Sequence, residues 1–142
     1  MDARPISDHY SVSPQIAVDT VAEIAAAGYT TVICNRPDDE VPPDFRADAL
    51  RAAVEAAGLT FVENPVRPGQ ITHENLETQG AAMEAAAGPV FAYCASGNRC
   101  ALVWSILMAP ELGADGVLAR TRAVGYDHSA FRPQLQQIAQ ST

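Results

Sequence analysis

Three short apolar segments, Tyr29–Asn35, Leu59–Asn64 and the run from Pro89 into Cys94, alternate with stretches of helical periodicity. Each is rich in β-branched or aromatic residues, and each ends in a polar turn, which is the pattern of a buried strand. Strand, helix, strand, helix, strand at this spacing predicts right-handed parallel crossovers. The fold class expected is therefore α/β, a three-layer αβα arrangement around a small, mainly parallel sheet. In such sheets ligands sit beyond the carboxyl ends of the strands. Those ends are Cys34-Asn35-Arg36, Asn64-Pro65-Val66-Arg67, and Cys94 with its loop, and they are expected to converge.

The remaining elements fill in around this frame. Tyr10–Ser13 reads as a short strand or an extended lead-in, and Ser13-Pro14 as an N-cap with proline at the first helical position. Ile16, Val18, Val21 and Ile24 follow at helical spacing up to Gly28. A second helix is expected from about Phe45 to Ala57, and a third from a Thr72 cap to about Ala87. After the helix that follows Cys94, two more are expected near Ala114–Val124 and Ser129–Gln140. With 142 residues, 48% of them hydrophobic, the chain suits one domain spanning 1–142. A net charge of −8 argues against nucleic acid as a partner. No positively charged leader and no apolar run near the roughly 20 residues of a membrane span is seen, so no membrane is expected and the location expected is cytoplasmic. The three cysteines and three histidines lack metal-ligand spacing, so neither a metal nor a cofactor is expected. His9, His73 and His128 read as surface or capping residues, Cys34 as core, and the Trp104-Ile106-Leu107-Met108 stripe as core packing.

The third strand end carries the chemistry. Cys94 to Arg99 reads C-x-x-G-x-R and leads into the apolar helix beginning Ala101-Leu102-Val103-Trp104. A strand-turn-helix gathers backbone N–H groups around a small space, and the helix N-terminus adds positive potential there. A thiol facing that space loses its proton easily. Cys94 is the expected nucleophile and Arg99 the expected anion grip, its planar fork matching two anion oxygens. Ala95, Ser96, Gly97, Asn98 and Cys100 complete the expected anion-binding loop. Arg67 reads equally as a second anion contact or as a solvated loop residue. Asn35, Arg36 and Asp38 are supporting candidates, with Arg36 and Asp38 preferred as an ion pair bracing a loop. Cys100 reads as a small residue packed under the loop, or as a second thiol able to form a disulfide or accept sulfur.

Tyr10–Pro14, Thr31–Asp38, Val66–Gly69 and Tyr93–Arg99 together resemble the family called domain of unknown function 442. That family is also described as the phosphatase-like domain of β-lactamase-hydrolase-like proteins, and includes proteins classed as sulfurtransferases. The resemblance runs from about Ser7 to Met108, and Gly125-Tyr126-Asp127 echoes the C-terminal part. It implies a protein tyrosine phosphatase-like fold, with Cys94 as nucleophile, Arg99 on the anion, and Ser96, Gly97 and Asn98 as the cradle. It also implies a persulfide dioxygenase-like partner, the domain fused to this one in longer relatives. Two departures stand out. Ala95 replaces a residue often basic in relatives, and Cys100 replaces a serine that commonly donates a hydrogen bond to the thiolate.

Cysteine phosphatases also use an acid to protonate the leaving oxygen, and the loop Pro65–Gln70 contains no carboxylate. Sulfur transfer needs no such acid, and a six-residue cysteine loop is also found in rhodanese-like sulfurtransferases. The leading expectation is thus a sulfurtransferase moving sulfane sulfur through a Cys94 persulfide from a small anionic donor. The alternative is a hydrolase of aryl phosphate esters, and a further one is a non-catalytic anion-binding domain.

Overall fold

Neighbouring residues of a strand point to opposite faces of its sheet, and in this chain both faces are apolar. The computed structural model describes residues 1–141; Thr142, the last residue of the expected domain, lies outside the described residues. Five strands, β1 (Arg4–Ser7), β2 (Tyr10–Ser13), β3 (Thr31–Cys34), β4 (Thr60–Glu63) and β5 (Val90–Tyr93), form one sheet in the order β1-β2-β5-β3-β4. From β2 to β4 the pairing is parallel, with Val12 and Ile33 both opposite Ala92 and with Val32 opposite both Phe91 and Phe61. β1 closes one edge antiparallel to β2.

The helices are α1 (Val21–Ala26), α2 (Ala47–Ala56), α3 (His73–Ala85), α4 (Asn98–Ala123) and α5 (Arg132–Gln140). Val32, Phe61 and Phe91 pack with Val21, Ile24, Leu50 and Val54 of α1 and α2. Val12, Ile33 and Ala92 face the other way, into Trp104, Val117 and Leu135 of α4 and α5. Trp104 stacks on Tyr10 with ring centroids 6.5 Å apart. Each such large side chain contributes roughly 1.5–3 kcal/mol by leaving water. The result is the three-layer α/β fold expected from the strand spacing.

Three local expectations are corrected. β1 was not foreseen, because Pro5 removes a ladder donor and is tolerated only where that strand forms the sheet edge. Ser13-Pro14 does not start a helix. Cys94 N–H donates to Ser13 O (3.3 Å) and Gln15 N–H to Ala95 O (3.4 Å), which pins this segment extended against the loop. A single 3-10 turn, Val18–Thr20, then precedes a shortened α1. The second helix likewise begins at Ala47 rather than Phe45, where Asp38 Oδ1 accepts its first N–H at 2.8 Å.

The Thr72 cap is present as read, with Thr72 Oγ1 accepting from Asn75 N–H at 3.0 Å and Asn75 Oδ1 accepting from Thr72 N–H at 3.0 Å. Gly113 (φ 75°, ψ 165°) breaks α4 near the boundary where a separate helix was expected. Contrary to the sequence reading, α4 is by length and composition apolar enough to cross a membrane. Its apolar content is explained by position: Cys100, Ala101, Val103, Trp104 and Ala109 are all buried beneath the sheet.

Candidate active site

The strand ends converge on Cys94. The residue is fully buried at the end of β5, and the loop turns back over it so that Gly97 N–H donates to Cys94 Sγ at 3.1 Å. Gly97 sits in the left-handed region (φ 93°), and a Cβ there would collide with the Tyr126 hydroxyl. Only glycine satisfies both demands. The Cys94 thiol is depressed to about 5, first by the hydrogen bond that the Cys100 thiol gives it, against the opposing effect of burial, and then by the N–H groups of Cys100, Arg99 and Ser96. Cys100 itself is pushed well above the ordinary thiol range, chiefly by burial. The two thiols therefore divide the roles, with Cys94 as the anion and Cys100 as the proton holder. Cys100 is thus both packed under the loop and engaged with the sulfur.

Arg99 is held rather than loose. Its Nη1 donates to Glu40 Oε2 (3.0 Å) and Val66 O (2.6 Å), and its Nη2 to Glu40 Oε1 (2.8 Å). Three of its five donors are used, leaving Nε–H and one Nη2–H for an anion. Glu40 also receives Arg36 Nε at 3.3 Å. Its carboxyl is held below the usual range, first by the hydrogen bond from Arg99. Glu40 is a fixed anion that orients Arg99, not a proton donor.

The supporting candidates are redistributed. Arg36 pairs with Glu40 and not with Asp38, because Asp38 is turned towards the α2 N-terminus, where N–H groups lack partners. Arg67 lies exposed and pairs with Asp39 at 3.0 Å. Asn35 is fully buried. Its Nδ2 donates to Asn64 O (2.8 Å) and Gln79 Oε1 (2.9 Å), and its Oδ1 accepts from Gln79 Nε2 (3.0 Å). Gln79 also donates to Tyr10 Oη (2.9 Å), which donates to Cys100 O (2.9 Å). Asn35 therefore supports the site at a distance, through a polar relay that ends on the first turn of α4. Cys34 lies in the core as read, its Sγ donating to Arg36 O.

Ala95, Ser96 and Asn98 are exposed at the loop, and with Arg99 they line one end of a pocket of about 510 Å³. The other walls are largely apolar, with Pro68 and Ile71 from the loop after β4, Leu102 and Ile106 from α4, and Leu135 and Ile138 from α5, beside the polar Gln134. Ile106, read as core, is half-buried and faces this pocket.

Sequence reasoning missed Glu40, Gln79, Tyr126 and His128. Tyr126 Oη donates to Ser96 O at 2.7 Å, and His128 Nε2 meets Asn98 Oδ1 at 2.7 Å. His128 is buried, against the surface half of the surface-or-capping expectation, and stands at the N-cap position of the 3-10 turn Ser129–Phe131. Its only visible signal was proximity to the Gly125-Tyr126-Asp127 echo. Glu40 was visible only as the last acid of Asp38-Asp39-Glu40. Among the described residues no group of three or more His, Cys, Asp or Glu side chains is placed to hold a metal ion.

The chain is similar to several known proteins. A curated beta-lactamase hydrolase-like protein of Xylella fastidiosa is 30% identical over 124 residues, which is 86% of this chain and 29% of that protein. The chain thus spans less than a third of this relative's length. A crystal structure of a candidate phosphatase from Neisseria meningitidis is 32% identical, covers 94% of this chain and 96% of its own, and superposes with a TM-score of 0.82. The structure of P. aeruginosa TpbA in complex with phosphotyrosine shares the fold at 18% identity, covering 96% and 88% of the two chains, with a TM-score of 0.60. The model of the phosphatase-like domain of the beta-lactamase hydrolase-like protein matches residues 2–111, and the chain belongs to that family, on a cysteine-phosphatase-type fold.

Proposed function

We propose that the chain is a cysteine-dependent hydrolase of phosphate monoesters with a good, aryl-type leaving group. The observation that carries this reading is a pocket of about 510 Å³ with largely apolar walls, lined at one end by Ala95, Ser96, Asn98 and Arg99 of the loop that turns over the buried, acidified Cys94. An anion at the loop with an apolar body behind it matches such an ester. The pocket is far larger than a small inorganic anion needs. The similarity to a candidate phosphatase and the phosphotyrosine bound to a fold relative support the same reading.

In the first step Cys94 Sγ attacks phosphorus, forming the S–P bond as the P–O bond to the aryl group breaks. The bonding pair leaves on the aryloxide. Arg99 and the loop N–H groups hold the phosphoryl oxygens where charge builds up. Water then cleaves the S–P bond, releasing phosphate and restoring the thiolate. An aryloxide departs without a strong acid, which suits a site where Asp38, Asp39 and Glu40 are all engaged elsewhere.

Turnover of p-nitrophenyl phosphate should be vanadate-sensitive and lost in Cys94→Ser. Inactivity across aryl phosphates overturns the reading.

The same shortage of free carboxylates favours a second reading, sulfur transfer. Here the Cys94 thiolate attacks the outer sulfur of thiosulfate and sulfite leaves with the bonding pair, needing no proton. A persulfide dioxygenase-like protein would then be a fitting consumer of the product. Thiosulfate incubation followed by intact mass should show one added sulfur, removable by cyanide and absent in Cys94→Ser. No adduct with any sulfur donor rules this reading out.

A further inference from the structure

The link between α4 and α5 lies outside the family-matched region, yet it makes two short hydrogen bonds to the loop. Tyr126 Oη donates to Ser96 O at 2.7 Å while accepting from Arg4 Nη1 at 3.3 Å. Ser96 C=O and Gly97 N–H belong to one planar trans peptide, so they point in opposite directions. The N–H side of that peptide is the one that donates to Cys94 Sγ at 3.1 Å. Tyr126 therefore grips one end of a rigid plate whose other end touches the sulfur. Nothing larger than a hydrogen at Gly97 leaves room for this grip, since a Cβ there would collide with Tyr126 Oη.

His128 holds the next residue. Its Nε2 lies 2.7 Å from Asn98 Oδ1, an acceptor, so the proton sits on Nε2. Nδ1 is buried and has no partner among the described residues, and burial lowers the ring's affinity for a second proton. Tyr126 stacks on one side of the ring at 6.3 Å between centroids, and Phe131 meets it edge-on at 5.9 Å. Asn98 is the first residue of α4, so this contact fixes where the helix N-terminus begins.

We propose that Tyr126 and His128 are positioning residues of the loop, orienting the Ser96–Gly97 peptide and Asn98 so that the N–H groups stay aimed at Cys94 Sγ. The proposal rests on the reading of Cys94 as a thiolate nucleophile. Charged and titratable groups around Cys94 are Cys100 and Arg99 on α4, Glu40 behind Arg99, Tyr10 from β2, and Tyr126 with Arg4 behind it. Cys100, Tyr10 and Tyr126 are all shifted upwards and Glu40 and His128 downwards, so between about pH 5 and 8.5 the profile reports Cys94 together with any titration of the His128 ring, which the His128 variants remove.

The test is the rate of Cys94 alkylation by iodoacetamide as a function of pH, followed by mass in the folded full chain. Tyr126→Phe keeps the ring and removes the donor, and is expected to move the midpoint up by about one unit, with roughly fivefold slower alkylation near pH 5. His128→Leu should shift it in the same sense, while His128→Gln, which can still donate to Asn98, should stay near wild type. This rescue pair keeps the test open if Tyr126→Phe does not fold. A folded Tyr126→Phe and His128→Leu with the wild-type midpoint overturn the proposal alone. A wild-type midpoint near 8.5 overturns the thiolate reading itself, and the proposal with it.

Discussion

Cys100 and Glu40 are the two residues on which the chemistry of Cys94 and Arg99 most depends, and neither reaches the pocket. Cys100 supplies the first of the effects that depress Cys94. Replacing it by alanine removes the donor, and the Cys94 alkylation midpoint should rise by at least about one unit from about 5. Cys100→Ser restores a stronger donor and should hold the midpoint near wild type. Equal midpoints for alanine and wild type would show that backbone N–H groups suffice. Glu40→Gln leaves Arg99, whose side chain is 11% exposed, without its carboxylate. Loss of a charged hydrogen-bond partner at such a site costs about 1–3 kcal/mol. The urea midpoint should fall, and kcat/KM on an aryl phosphate should drop about tenfold or more as the fork loses its orientation.

At the scale of elements, the sheet's carboxyl edge is tied together by amides rather than by apolar packing. Asn64 Nδ2 and Asn35 Nδ2 both donate to Gln79 Oε1, at 2.8 and 2.9 Å, while Gln79 Nε2 donates to Tyr10 Oη and Asn35 Oδ1. One side chain on α3 thus joins the ends of β3 and β4 to β2 and, through Tyr10, to the first turn of α4. Gln79 is fully buried, so Gln79→Leu leaves several polar groups unpaired in a low dielectric. The expected loss is about 2–4 kcal/mol in urea unfolding. A change below about 0.5 kcal/mol would mean that water replaces the relay. The helices of this region were readable in advance because Thr72 and Asn75 form a local cap. The relay was not, because an isolated glutamine in a helix is indistinguishable from a solvated one until the strands it bridges are in place.

For the whole molecule, the ionised thiol makes stability depend on pH. The folded Cys94 value lies below the ordinary thiol value of about 8.5, so its contribution is fully present above that value and is lost as pH falls through about 5. Above about 8.5 the suppressed ionisation of Cys100 acts in the opposite sense. The gain from Cys94 therefore appears as stability rising between about pH 5 and 8.5. His128, shifted down by burial, adds in the same direction. Comparing urea midpoints of wild type and Cys94→Ser across this window isolates the thiol. The slope should be steeper in wild type, and parallel curves would mean that Cys94 has the same pKa folded and unfolded.

The strand periods, the glycine-punctuated helices and the C-x-x-G-x-R loop are local patterns, and from them alone followed the αβα fold, the converging strand ends and the choice of Cys94 and Arg99. Backbone sterics and apolar periodicity act over a few residues, so such features are legible in one dimension. What holds these groups acts across the chain: Glu40 meets Arg99 over 59 positions, Gln79 meets Tyr10 over 69, and Tyr126 meets Ser96 over 30. Charges and hydrogen bonds of this kind depend on a few tenths of an ångström between atoms whose proximity is settled by the packing of the whole sheet and its helices. That is why Asp38 was paired with the wrong partner, why Arg67 was left undecided, and why Glu40, Tyr126 and His128 became visible only in three dimensions.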